Sequence, residues 1–164
     1  MKIETTPNLN DYKSIKTYED ACDALEEKVP EDELTKAGVP NHIIALMKLE
    51  LICKALWGGE KEAHQGIMRQ PMYFCPSFGF REKPKPEDAC HNLCHCGPYL
   101  TVLASSIEKK EWGYNGAINC VTNNNNNVFN FRLCLDTDEK EEYFAQQFLE
   151  LWAEYLAYNL KVVE

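Results

Sequence analysis

The fold is decided by the stretch from residue 40 to residue 57, which reads PNHIIALMKLELICKALW. On a helix, its apolar side chains cover more than half of the circumference, and a helix with so wide an apolar arc is buried on several sides. Pro40 fits the first helical turn, where its missing N–H costs nothing. Gly58 and Gly59 supply the C-terminal stop. We therefore predict a central core helix over residues 40–57.

Helical signals also stand near both ends of the chain. Thr17 with Asp20 has the spacing of a capping box, and it begins a short helix that ends by Pro30. Residues 31–38 are acidic and are compatible with one more helical turn. Thr137 or Asp138 caps a helix predicted over residues 138–159. Its wide aromatic face, interpreted as core, contains Tyr143, Phe144, Phe148, Leu151, Trp152, Tyr155 and Leu156.

The middle of the chain predicts strands. Residues 72–80 indicate a strand interrupted at Pro76, because proline is confined to edges and bulges of sheets. Residues 99–107, 117–122 and 128–135 indicate three more, and the five asparagines of 123–127 suit a hairpin loop. Gly113 and Gly116 indicate a turn around Tyr114-Asn115, and residues 81–98 a loop.

Helices at both ends with strands between them predict an α+β fold. We expect an antiparallel sheet of about four strands packed against the N-terminal and C-terminal helices. Residues 1–16 are interpreted as a loose lead-in, and residues 17–164 as a single domain, which is an ordinary size for one domain.

The formal net charge is −9, with 17 Lys and Arg against 26 Asp and Glu. Residues 1–36 and 111–164 are acidic, and they flank a nearly neutral middle. Binding to nucleic acid depends largely on basic side chains that neutralise phosphates, and the chain has no strong basic run. This balance disfavours nucleic acid as a partner. It is compatible with plain solubility or with a basic partner.

The first residues contain no apolar segment of the kind found in signal peptides. The longest mostly apolar stretch, residues 43–57, is interrupted by Lys48, Glu50 and Lys54. It is too short to cross a bilayer, which needs about 20 apolar residues. We therefore expect a cytoplasmic protein without a membrane span.

Eight cysteines are many for such a chain. Four of them, Cys22, Cys53, Cys120 and Cys134, stand among apolar residues and are interpreted as small hydrophobic side chains. The best metal-ligand candidates are Cys90, Cys94, Cys96 and His95, because zinc is commonly held by pairs of the form C-x₂₋₄-C. A fourth ligand would have to come from elsewhere, such as Cys75 or His64. Exposed thiols and ordinary loop packing remain as alternatives, and no cofactor is predicted.

The sequence contains residues for three further kinds of site. A cysteine nucleophile would need a base within hydrogen-bond reach, for which Cys94 with His64 or His42 is conceivable. The carboxylates of residues 136–142 could hold a metal, but they stand where helix caps belong. Aromatic strand residues beside a basic patch can stack on single-stranded nucleic acid. The patch would be Arg69, Arg81, Lys83 and Lys85; core packing is the simpler interpretation of the aromatics.

Several collinear segments resemble a family of small proteins from phages and prophages of Bacteroides and related gut bacteria. They are residues 16–22, 38–50, 73–80, 131–135 and 142–148, which together cover about a quarter of the chain. The resemblance implies expression inside a bacterial cell and a phage-encoded interaction protein. It implies no catalytic or binding residue, and it does not extend over residues 81–127.

The sequence therefore favours a non-enzymatic, phage- or prophage-derived protein that acts through contacts with a protein partner. Two alternatives stay open. One is a single-stranded nucleic-acid binding protein that uses the strand aromatics. The other is a small metal- or thiol-dependent enzyme built on the cysteine and histidine residues of 90–96.

Overall fold

Five α-helices and a four-stranded sheet are seen in the computed structural model, which describes residues 7–59, 73–81, 99–104, 108–120, 133–156 and 161–162. The helices are α1 (Tyr18–Leu25), α2 (Glu31–Lys36), α3 (Asn41–Leu56), α4 (Asp138–Gln147) and α5 (Leu149–Leu156). The strands are β1 (Tyr73–Arg81), β2 (Tyr99–Ala104), β3 (Glu108–Cys120) and β4 (Lys161–Val162). Mixed helix and strand with antiparallel pairing confirms the α+β prediction at this coarse level.

The helix starts and stops follow the local signals. Thr17 caps α1 in a complete capping box, because its side chain accepts from the Asp20 N–H and the Asp20 carboxylate accepts from the Thr17 N–H. At the end of α3, Gly59 N–H donates to the Lys54 carbonyl and Gly58 N–H to the Ala55 carbonyl. These two bonds form a Schellman motif, and both glycines have φ above +80°. The predicted α3 is confirmed within one residue at each end.

The C-terminal helix is two helices, and the prediction of one helix over residues 138–159 is wrong. The helix is interrupted at Phe148, which has φ −112° and ψ 29°. The Trp152 indole donates to the carbonyl of Phe144, which in a continuous helix would accept from the Phe148 N–H. The break allows Phe144, Phe148 and Trp152 to be buried together.

The strand order in the sheet is β1-β3-β2-β4, and all neighbouring strands run antiparallel. β1 is continuous through Pro76, because it lies at the sheet edge, where a missing N–H is tolerated. The predicted interruption is instead a register shift between Ser77 and Phe78. The predicted turn at Gly113 to Gly116 is wrong, because these residues lie inside β3 and pair with β1.

The predicted hairpin over residues 117–135 differs from the described part of the structure. Residues 117–120 end β3 and pair with β1, and residues 121–132 lie outside the described ranges. Leu135, expected at the end of a strand, forms an isolated antiparallel bridge with Phe74. The described strands are therefore not the set that the sequence predicts.

The core lies between the sheet and the helices. α4 contacts β1 and β3, α3 packs on α5, and α1 packs on α3. Leu49, Ile52 and Phe144 have no exposed surface, and Leu133, Cys134 and Leu135 are also buried. None of the described helices is long and apolar enough to cross a membrane.

Residues 7–16, part of the expected loose lead-in, pack against the helices. Tyr12–Ser14 form a short 3-10 helix, and Ile15 is completely buried in the core. The Tyr143 hydroxyl donates to the Ile15 carbonyl at 2.8 Å. These described residues are thus part of the folded unit and differ from the expectation.

Candidate functional site

An open groove of about 540 Å³ lies where three parts of the helical layer meet. The start of α1, the middle of α3 and the junction of α4 with α5 line it. Volumes of roughly 300–1,000 Å³ are typical of sites that hold small molecules. We refer to it as the junction groove.

Local hydrogen bonds fix the walls of the junction groove. The Thr17 capping box holds the first turn of α1, and Gln147 Nε2 donates to the Lys16 carbonyl at 2.8 Å. That bond ties the end of α4 to the chain just before α1. Because the helix break at Phe148 follows directly, the first turn of α5 forms the other side of the groove.

The junction groove combines an apolar lining with acidic residues. Phe148 and Leu149 are buried and Leu151 is half-buried, whereas Glu150 and Glu154 are exposed. These five residues come from one short stretch, and the helical spacing of α5 separates the apolar residues from the acidic ones. The groove therefore presents carboxylates around a partly apolar surface.

The basic residues of the junction groove do not balance these carboxylates. Lys48 is paired with Glu31 at 2.6 Å, and its ammonium lies 5.2 Å from the centre of the Tyr18 ring. Its charge is therefore largely neutralised within the protein. Lys16 is exposed, and so is Glu19, which also lines the groove from the first turn of α1.

The helical layer as a whole, defined as residues 7–59 and 133–156, is acidic. Residues 7–59 and 133–156 contain seventeen Asp and Glu against seven Lys and Arg, and the rest of the chain contains nine against ten. The two ranges carry a formal charge of −10, and the remainder is nearly neutral. A field of one sign over a surface attracts partners of the opposite charge.

A buried carboxylate lies between the sheet and α4. The Tyr114 hydroxyl donates to Glu141 Oε2 at 2.7 Å, and Glu141 has no exposed surface. Its Oε1 has no hydrogen-bond partner among the described residues. Burial raises the pKa of Glu141 to about 7, although the bond from Tyr114 opposes this, and the nearby Asp138 and Glu142 raise it further. The same burial raises the pKa of Tyr114.

Two cysteines lie close to this carboxylate. Cys75 of β1 and Cys134 are both buried, and a side-chain hydrogen bond joins them and lowers the pKa of Cys75, against the effects of burial and of Glu141. The Cys134 carbonyl accepts from Trp57 Nε1 at 2.8 Å and from Cys53 Sγ at 3.5 Å. Cys53 and Cys134 pack in the core as predicted, and Cys22 is half-buried.

The metal-ligand candidates Cys90, Cys94, Cys96 and His95 lie outside the described residues, as does His64. Cys75, considered as a fourth ligand, lies beside Cys134 in the core. Within the described ranges, no group of three or more His, Cys, Asp and Glu side chains is arranged to hold a metal ion.

Among the strand aromatics considered for stacking, Phe78 packs inward. Phe78 stacks on Trp112 with ring centroids 5.1 Å apart and planes 8° apart, and it also lies 4.8 Å from Trp152. These rings join the sheet to α5. Of the proposed basic patch, Arg69, Lys83 and Lys85 lie outside the described residues, and Arg81 ends β1.

Sequence reasoning missed the role of Glu141. Thr137 caps α4 by accepting from the Lys140 N–H, and the Glu141 side chain instead accepts from the Tyr114 hydroxyl in the core. The position of Glu141 next to the apolar face of α4 was the only local signal. The junction groove was equally hidden, because it depends on the helix break.

No protein-family model matches this chain, and no curated protein or solved structure is significantly similar to it.

Proposed function

We propose that this is a non-enzymatic, phage- or prophage-derived protein that acts in the bacterial cytoplasm by binding a basic segment of a protein partner. The observation that carries the proposal is the junction groove, where the exposed carboxylates of Glu150 and Glu154 flank the half-buried Leu151. The resemblance to phage-encoded proteins supports an interaction role. The charge of −10 on the helical layer supports a basic partner.

The partner's chemistry follows from the groove. Leu151, which is half-buried, offers apolar surface for a side chain such as leucine. Glu150 and Glu154 stand one helical turn apart on α5, so they match Lys or Arg residues three to four positions apart on a partner helix. An amphipathic basic helix that lays its apolar face in a groove is a common mode of recognition.

This proposal is favoured over nucleic-acid binding for two reasons. Phe78, which could otherwise stack on a base, is engaged with Trp112 and Trp152. The acidic helical layer would also repel a phosphate backbone. A sequence-tolerant binder of single strands needs the opposite arrangement, with exposed aromatics along a positive groove.

A direct test uses a fluorescent peptide with Leu and Lys at helical spacing. Anisotropy should detect saturable binding that weakens with salt, because rim charges contribute by screened attraction. The double variant Glu150→Lys/Glu154→Lys should weaken binding at least about tenfold. The matched control is Asp23→Lys/Glu33→Lys, which changes the net charge equally at exposed positions outside the groove lining.

If both double variants lose peptide affinity equally, binding depends only on net charge. That result would contradict a site at the junction groove. Affinity capture from the native bacterial host, read by mass spectrometry, completes the test. A partner retained by the control variant and lost by the groove variant is expected. Nucleic acid recovered equally with all three proteins would contradict the proposal.

A further inference from the structure

The pairing of Phe74 with Leu135 places two cysteines opposite each other. Phe74 N–H donates to the Leu135 carbonyl at 2.9 Å, and Leu135 N–H donates to the Phe74 carbonyl at 2.8 Å. In an antiparallel ladder, the position next to such a doubly bonded pair is a non-hydrogen-bonded pair with Cα atoms about 4.5 Å apart. Cys75 and Cys134 occupy that position. Disulfides span Cα distances of roughly 4.4–6.8 Å, a range that includes the spacing of such a pair.

The two thiols already face each other. A side-chain hydrogen bond joins Cys75 to Cys134 and favours the thiolate of Cys75. Thiolates, not thiols, are the nucleophiles of disulfide chemistry. The hydrogen bond therefore favours Cys75 as the nucleophile of the pair.

The surroundings hold this arrangement in place. Only 6% of Cys75 and 1% of Cys134 is exposed, and the Cys134 carbonyl is held by the indole of Trp57. A disulfide here would join β1 to the segment that leads into α4. It would close a long loop, which stabilises the folded state by restricting the unfolded chain.

We propose that Cys75 and Cys134 form a reversible redox pair, which closes into a disulfide when the protein meets a peroxide and opens again when a dithiol reduces it. The Cys75 thiolate attacks one peroxide oxygen, the O–O bond breaks, and hydroxide leaves to give a sulfenic acid. The Cys134 sulfur then attacks the Cys75 sulfur, and the S–O bond breaks. The departing hydroxide takes up the Cys134 proton. Two thiols and one hydrogen peroxide thus yield one disulfide and two waters.

Burial sets the kinetics. A small oxidant reaches the pair only when the edge strand β1 opens locally, and such openings cost less than global unfolding. The disulfide should therefore form slowly at first. Once formed, it should resist reduction until the same opening recurs, which makes the pair respond to sustained oxidation.

The test is peptide mapping of the full chain after treatment with hydrogen peroxide and blocking of the remaining thiols. We expect a linked pair of peptides containing Cys75 and Cys134, two hydrogens lighter than the free peptides, that disappears with dithiothreitol. The melting temperature should rise by roughly 10 °C in the oxidised protein and return on reduction.

Variants separate this pair from the other cysteines. Cys75→Ala and Cys134→Ala should abolish the temperature shift, and Cys22→Ala should retain it. Circular dichroism of the reduced variants checks that they fold. The wild-type map is decisive even if a variant does not fold. A disulfide between other cysteines, sulfinic acid at Cys75 without a link, or an unmodified Cys75 and Cys134 after prolonged treatment would overturn the proposal.

Discussion

The Tyr114 hydroxyl donates a 2.7 Å hydrogen bond to Oε2 of Glu141 and so joins the central strand β3 to the first half of α4. The bond crosses from the sheet to the helical layer inside the core. Since the carboxylate has no exposed surface and its second oxygen has no partner among the described residues, its ionised form is costly. This relationship gives the fold a dependence on pH.

The first prediction concerns Glu141→Gln. The folded-state pKa of Glu141 is raised from 4.5 to about 7, so the folded protein holds a proton that the unfolded chain releases between these values. This contribution is fully present below pH 4.5 and is lost as pH rises through 7. In wild type, the free energy of unfolding should fall by about 3 kcal/mol over this range, which corresponds to a shift of this size. In Glu141→Gln this fall should be absent. Urea unfolding at pH 4.5, 6 and 8 measures it.

Glu139→Gln is the matched control, because Glu139 is exposed on the same turn of α4. It should keep the wild-type pH dependence. An identical dependence in Glu141→Gln and wild type would show that Glu141 titrates normally.

The second prediction concerns the core. Leu49 has no exposed surface and lies in the centre of α3, so Leu49→Ala should destabilise the protein by about 2–5 kcal/mol through lost burial and a residual cavity. Ile43→Ala, on the same helix but 36% exposed, should cost much less. Thermal unfolding of both variants compares them. Equal losses would mean that α3 is not the core helix.

The third prediction concerns nucleic acid. With 17 basic against 26 acidic residues and a helical layer of charge −10, the protein should not bind a labelled single-stranded oligonucleotide at micromolar concentration and low salt. At ~0.01 M salt the Debye length is about 30 Å, so repulsion by the acidic residues is at its strongest. Anisotropy across a salt series measures this. Tight binding that weakens steeply with salt would favour the nucleic-acid alternative.

The fourth prediction concerns zinc and residues 90–96. One C-x₃-C pair without a second pair is a poor tetrahedral site. The purified protein should contain well under one equivalent of zinc, and a chelator should leave its melting temperature unchanged. Elemental analysis and thermal unfolding test both points. Stoichiometric zinc with a chelator-sensitive melting temperature would make Cys90, Cys94 and Cys96 ligands.

The helix boundaries near residues 17 and 58 were determined by the sequence alone. Thr17 finds its partner Asp20 three residues away, and Gly58 and Gly59 find theirs within five. Such signals need no tertiary structure, because both partners are fixed by the helix itself. The apolar arc of residues 40–57 likewise predicted a buried helix.

Tertiary structure decided the features on which the proposals rest. Glu141 meets Tyr114 across 27 positions, and Cys75 meets Cys134 through the bridge of Phe74 with Leu135. The helix interruption at Phe148 is not marked by a glycine or proline in the sequence. It allows the Trp152 indole to donate to the carbonyl of Phe144. Each depends on the packing of distant segments, where burial outweighs local preference. A pattern of neighbours along the chain therefore predicts the elements, but it does not predict which side chains meet when they pack.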